Sequence, residues 1–107
     1  MPFDGSKSST AIAVQGIERV IELLSSERQW CKGIRETRDG RRCLARALEL
    51  ANANEALVPV ILSAIWQVTG RTYWQIEAFN DRADVTYADV RSVLLQTADE
   101  IRARQHS

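Results

Sequence analysis

Thirteen consecutive positions from Ala56 to Val68 admit only three residues that are not plainly apolar: Pro59, Ser63 and Gln67. They lie in the run E-A-L-V-P-V-I-L-S-A-I-W-Q-V-T-G of residues 55–70. A helix apolar on nearly every side has no solvent face to offer, so it belongs in the middle of a small domain. At ~1.5 Å per residue the run spans roughly 20 Å, enough for a domain core and too short for a bilayer. Pro59 is tolerated if the helix starts near Leu57, since a first-turn proline forfeits little hydrogen bonding. Gly70 closes the helix, because glycine enters the left-handed conformation without a Cβ penalty. The chain is therefore expected to build itself around Leu57–Val68.

A chain of 107 residues forms one domain, burying roughly 65% of its extended surface. Hydrophobic residues make up 45% and charged residues 26%, as in ordinary globular proteins. The net charge is zero, which gives the whole molecule no bias towards nucleic acid or membrane. Locally the balance differs. Between Arg28 and Arg46 seven basic residues (Arg28, Lys32, Arg35, Arg38, Arg41, Arg42, Arg46) face only Glu36 and Asp39, a local charge of +5. Two cysteines, Cys31 and Cys43, set no disulfide framework. With no signal-peptide pattern and no membrane-length apolar run, a cytoplasmic protein with reduced thiols is expected.

Helical periodicity organises most of the rest. Residues 1–10 read as a flexible lead-in, 11–104 as one helical domain and 105–107 as a frayed tail. From Ala11 to Ser26, Val14, Ile17, Ile21 and Leu24 recur at helical spacing, widened by Val20, with Ser9 or Thr10 as N-cap. Gly16 within this helix costs about 1 kcal/mol against alanine or marks close contact with a neighbour. Residues 27–42 are irregular, and Asp39-Gly40 signals a turn. A loop in which Asp39 caps the next helix and a weak hairpin starting with Lys32–Thr37 both fit. Cys43–Ala53 is helical through Leu44, Ala47, Leu48 and Ala51. After Gly70, Thr72 is placed to cap a short helix carrying Tyr73, Ile76 and Phe79 on one face, ending at Asn80-Asp81. Thr86 and Asp89 then make a capping-box start for a last helix lined by Val90, Val93, Leu94, Thr97, Ala98 and Ile101. The fold expected is all-α: a compact bundle of four or five helices around the buried central one.

Trp30 followed by Gly33, the Asp39-Gly40 turn, Cys43 with Ala47-Leu48, Phe79-Asn80-Asp81-Arg82, and Thr86-Tyr87-Ala88-Asp89-Val90 form an ordered set. The set resembles a small bacterial and phage helical domain family of unknown function, over Ile17 to about Ala103. Phe79 stands where that family shows a tryptophan, and the family often has a proline near Ala83. The resemblance implies a helical fold and a bacterial or phage source, and it brings no reaction with it.

No catalytic residue is expected. The only histidine is His106, beside the C-terminus, so histidine-based acid–base or nucleophilic chemistry lacks a rigid scaffold. Cys31 and Cys43, twelve residues apart with no second Cys/His pair, fall short of a zinc site and read as small buried hydrophobes. No metal and no cofactor are expected, nor does a phosphate loop or dinucleotide fingerprint appear. Asp81 with Asp84 or Glu77 is the one carboxylate pairing that would suit acid–base work or a hard cation. The simpler role for Asn80, Asp81 and Thr86 is a structural turn lock, with the short side chains bonding backbone in the turn that leads to Thr86.

Binding has better leads. Arg35, Arg38, Arg41 and Arg42 beside a flexible turn suit phosphates, and Trp30, unless it pins the segment to the core with Ile34, Cys31 and Cys43, would stack on a base. The same patch suits an acidic protein, or else its arginines pair with the domain's own acids. Trp66, Tyr73, Trp74 and Phe79 read as core packing beneath the central helix; Trp74, off the Tyr73–Ile76–Phe79 line, is the exception expected to face a partner. The functional expectation is a non-enzymatic interaction or regulatory module, phage- or mobile-element-derived, that binds a protein partner. Two alternatives stand beside it: nucleic-acid binding by residues 28–46, and a ligand site or small enzyme at Trp74, Asp81 and Asp84.

Overall fold

A computed structural model describes residues 5–105, with side chains over 11–104. Among them are five α-helices: α1 (Gly5–Leu23), α2 (Leu44–Leu50), α3 (Asn54–Thr69), α4 (Ile76–Asn80) and α5 (Tyr87–Gln105). A single 3-10 turn, Glu27–Gln29, follows α1. The domain is all-α as expected, and no strand forms among the described residues. Residues 1–4 and 106–107, which include His106 and parts of the expected lead-in and tail, lie outside the described residues.

Helix α3 packs against each of the other four helices, while α1 and α5 pack on it and on one another. The three long helices thus make a core that α2 and α4 close at one side. Leu57, Val60, Ile61, Ala64 and Ile65 of α3 are buried. The expectation that α3 has no solvent face is wrong, however. Pro59, Ser63 and Gln67 recur every fourth residue, which places them on one face of a helix, and all three are exposed. Trp66 shares that exposure at 56%, so it is not core packing. Helix α3 also begins earlier than expected, at Asn54, which leaves Pro59 inside it. Pro59 forfeits the bond to the Glu55 carbonyl, and its position on the wet face lets water take that acceptor.

Helix α1 starts at Gly5 rather than after Thr10, so Ser9 and Thr10 are inside it and do not cap it. Its buried apolar residues are Ala13, Ile17, Val20 and Leu23, joined by Leu24 just past its end, with Val14 and Ile21 only partly covered. Gly16 marks a close approach: a Cβ there would stand 2.6 Å from the Cβ of Ala53 and 3.2 Å from Cδ1 of Leu57. The glycine lets α1 lie against the start of α3.

Helix α5 follows its sequence pattern closely. Val90, Val93, Leu94, Thr97, Ala98 and Ile101 are all buried. The Thr86 amide donates to Asp89 Oδ2 (2.9 Å) and the Asp89 amide donates to Thr86 Oγ1 (3.4 Å), which completes the reciprocal cap. Helix α4 is shorter than expected. Gln75, not Thr72, occupies its N-cap position, and Tyr73 precedes it, packing edge-on to Phe79 with ring centroids 5.8 Å apart. The chain uses residues 70–75 to return from the end of α3 to α2, against which α4 packs.

Candidate functional site

The irregular segment between α1 and α2 is neither a free loop nor a regular hairpin. Residues 41–43 run between two neighbouring stretches. On one edge Arg42 N donates to Gln29 O (2.8 Å) and Cys31 N donates to Arg42 O (3.1 Å), pairing Trp30 with Arg42 in parallel. On the other edge Thr37 N donates to Arg41 O and Cys43 N to Arg35 O, both at 2.9 Å. Gly40, at φ 91°, closes the Thr37–Gly40 turn. Asp39 caps nothing in α2; the Cys43 sulfur takes that place by accepting from Arg46 N at 3.4 Å.

One further rung of the parallel ladder would join Leu44 N to Cys31 O. The Asn80 carboxamide stands there instead. Leu44 N donates to its Oδ1 (3.1 Å), and its Nδ2 donates to Cys31 O (3.1 Å). The same Oδ1 accepts from Trp30 Nε1 at 2.7 Å, and Nδ2 also donates to Asp81 Oδ1 at 2.9 Å. Two bonds accepted and two donated satisfy the whole amide, which is fully buried. Asp81 Oδ1 in turn accepts from Gly33 N at 2.8 Å, where Gly33 holds φ 81°. Lys32 Nζ reaches across to Arg82 O (2.8 Å) and Val85 O (2.5 Å), passing 5.4 Å above the Trp30 ring. Asn80 and Asp81 thus bond backbone far from the turn to Thr86: those backbone partners sit 36 to 49 residues earlier in the chain. Lys32 and Gly33 were not singled out from sequence for this role.

This geometry removes Trp30 from the binding surface. It is 8% exposed with its only polar atom bonded to Asn80, so it has no face for a base to stack on. The arginines are largely engaged. Arg35 pairs with Glu49 and approaches Glu77 at 4.0 Å, and Arg41 pairs with Asp39 at 3.4 Å. Arg46 bridges Glu36 (3.0 Å) and Glu49 (3.2 Å). Arg42 is half-buried in the ladder, its Nε covered and without a partner. Arg38 is exposed beside the turn and in no ion pair among the described residues. Bonds from Arg35 and then Arg46 hold the Glu49 carboxyl below its ordinary value.

Trp74 is the outlier, 97% exposed, where a large indole gains nothing by itself. It borders a shallow cleft of about 260 Å³. Val58 of α3, Ala45 and Leu48 of α2 and Ile76 of α4 make its apolar lining, and Arg35, Glu49 and Glu77 make its charged edge. Of the residues expected to bind, the structure therefore brings Arg35 and Trp74 to one place and sets Arg38, Arg41 and Arg42 elsewhere in the loop. Glu49 and Val58 join that place without having carried any sequence signal of a site.

The carboxylates expected to pair for chemistry have other partners. Asp84 is held by Arg71 (3.2 Å) and Arg82 (2.5 Å), whose bonds, that of Arg82 first, hold its carboxyl below its ordinary value. Among the described residues no group of three or more His, Cys, Asp or Glu is arranged to hold a metal ion. Burial, then Cys43 and Asp81 nearby, pushes the half-buried Cys31 thiol up. Among the described residues no helix is long and apolar enough to cross a membrane.

No curated protein and no solved structure matches the chain. Residues 9–100 match the model of a "Family of unknown function (DUF6197)", in keeping with the small domain family of unknown function that the motif spacing resembles, and the chain belongs to that family.

Proposed function

We propose that this domain is a non-enzymatic interaction module that docks a protein partner on the surface formed by Trp74 and the cleft beside it, acting in the cytoplasm of a bacterium or of a phage-infected cell. The observation that carries this reading is Trp74 itself: an indole 97% exposed, beside an apolar cleft rimmed by Arg35, Glu49 and Glu77. Tryptophan and arginine are the residues from which protein interfaces draw most of their energy when both become desolvated. Trp66, exposed on α3, adds a second indole to the outer surface. The engagement of Asp81 by Gly33 N and of Asp84 by two arginines speaks against acid–base chemistry at the alternative ligand site. Pairing of Arg35, Arg41 and Arg46 with the domain's own acids, together with the burial of Trp30, speaks against a nucleic-acid groove.

A photo-crosslinking residue in place of the exposed Gln75 tests the proposal in cells of the source organism. The expected result is one discrete adduct with another protein, lost when Trp74→Ala is added. Because Trp74 supports no core, that substitution should change stability by less than about 0.5 kcal/mol. An adduct that survives Trp74→Ala, or no adduct with any protein, overturns the reading; an adduct with nucleic acid instead moves the function to the basic segment.

A further inference from the structure

We propose that Cys31 and Cys43 are an oxidisable pair that peroxide closes into an intramolecular disulfide across the base of the basic loop. The parallel pairing of Trp30 with Arg42 sets the register. One step further along both stretches stand Cys31 and Cys43. Side chains alternate along extended chain, so these two lie together on the face opposite Trp30 and Arg42. Neighbouring extended chains run roughly 4.8 Å apart, within the Cα separation of about 4.4–6.8 Å that a disulfide spans. The hydrogen bonds on either side of Arg42, at 2.8 and 3.1 Å, fix this spacing at the Trp30–Arg42 pair next to the cysteines, and the second of them is donated by Cys31 N itself. Both thiols are free, Cys31 half-buried and Cys43 buried. Their present contacts are weak ones: Cys31 Sγ donates to Ile34 O at 3.3 Å, and Cys43 Sγ accepts from Arg46 N at 3.4 Å. Turning either sulfur towards the other costs little hydrogen bonding.

Accessibility orders the chemistry. Cys31, the more exposed, loses its proton and attacks one peroxide oxygen; the O–O bond breaks, water leaves, and Cys31 becomes a sulfenic acid. Cys43 then attacks that sulfur, the S–O bond breaks, and a second water leaves as the S–S bond forms. Two thiols and one peroxide thus become one disulfide and two waters, and a dithiol or glutathione reverses the change by exchange. Burial and the neighbouring groups that favour the protonated Cys31 thiol make the first step slow at neutral pH. The closed form ties the two ends of the segment that carries Arg35, Arg38 and Arg41.

The test treats the reduced full chain with hydrogen peroxide, blocks remaining thiols in denaturant, and digests with trypsin without reductant. The expected product is fragment 29–32 (Gln-Trp-Cys-Lys) joined to fragment 43–46 (Cys-Leu-Ala-Arg), from a monomer lighter by two hydrogens. Its rate of formation rises about tenfold per pH unit while the thiol is mostly protonated. In Cys43→Ser, which keeps a capping oxygen at that position, dimedone should instead trap sulfenic acid on Cys31. A wild-type chain that yields dimedone-labelled Cys31 with a free Cys43, or a Cys31–Cys31 link between two chains, overturns the proposal.

Discussion

Replacing Asn80 by alanine should cost this domain much of its stability. The substitution deletes four hydrogen bonds at once, but the loss is not four equal terms. Trp30 Nε1 and Leu44 N are donors of buried residues that both bond Asn80 Oδ1, whereas Cys31 O belongs to a half-buried residue that water can approach. An orphaned buried donor costs about 1–3 kcal/mol, so the two together weigh about 4 kcal/mol before any cavity is counted. A domain of this size has roughly 5–15 kcal/mol to lose. With ~4–8 °C per kcal/mol for a small domain, the melting temperature should fall by about 20 °C. Urea unfolding followed by tryptophan fluorescence measures the change. Trp30→Phe supplies the check on cause. In the wild-type background it breaks the bond to Oδ1, whereas in Asn80→Ala it removes a donor that is already orphaned. The second cost should be smaller than the first by about 1–2 kcal/mol. A loss below about 1 kcal/mol for Asn80→Ala, or strictly additive costs in the double variant, would refute the account of Asn80 as a bridge between two backbone stretches.

Two further substitutions probe other parts of the fold. Gly16→Ala raises helix propensity by about 1 kcal/mol, yet it should destabilise by about 1–3 kcal/mol, because its methyl would lie 2.6 Å from Ala53 Cβ; a raised urea midpoint would show that α1 can shift away from α3 freely. Acid should weaken the domain through Glu49, whose carboxyl sits below its ordinary value of 4.5 because Arg35 and Arg46 bond it. The unfolded chain then binds the proton more readily than the folded one, so this contribution is present above about pH 4.5 and is lost as pH falls through the lower folded value. Arg35→Ala should flatten that part of the urea-midpoint profile, and high salt should shrink the difference between the two proteins; identical profiles would remove Arg35 from the explanation.

Much of the fold was legible because helices announce themselves through local spacing. The buried face of α5, from Val90 to Ile101, could be read off residue by residue, as could Leu44, Ala47 and Leu48 in α2. The wet face of α3 was legible too, in the fourfold spacing of Pro59, Ser63 and Gln67, but the density of apolar residues around them hid it. Trp66 shows why: tryptophan counts as apolar in any pattern, and only the neighbours decide whether it is covered. Trp74 was readable as exposed since it falls off the line shared by Ile76 and Phe79. For Trp30 the sequence left a core anchor and a stacking surface both open, because its burial depends on an amide fifty residues away, and nothing local to either residue names the other. The same holds for Arg35, whose place beside Trp74 follows from how α2 and α4 meet.

The Asn80 bridge also gives the domain a chronology. Helix α1, the turn at Gly40 and α2 are made of near neighbours and are complete in sequence by residue 50. The amide that joins Cys31 to Leu44 is synthesised 36 to 50 residues after its partners. Until it arrives, Trp30 Nε1 and Leu44 N have only water to bond, and the ends of the basic segment are held by backbone pairing alone. Contacts of such long sequence separation form late, after local helices have collapsed. The segment with the most arginines in the chain therefore acquires its final shape only once α4 has packed against α2, and Trp30, whose indole passes from water into the core at that moment, is a built-in reporter of when it happens.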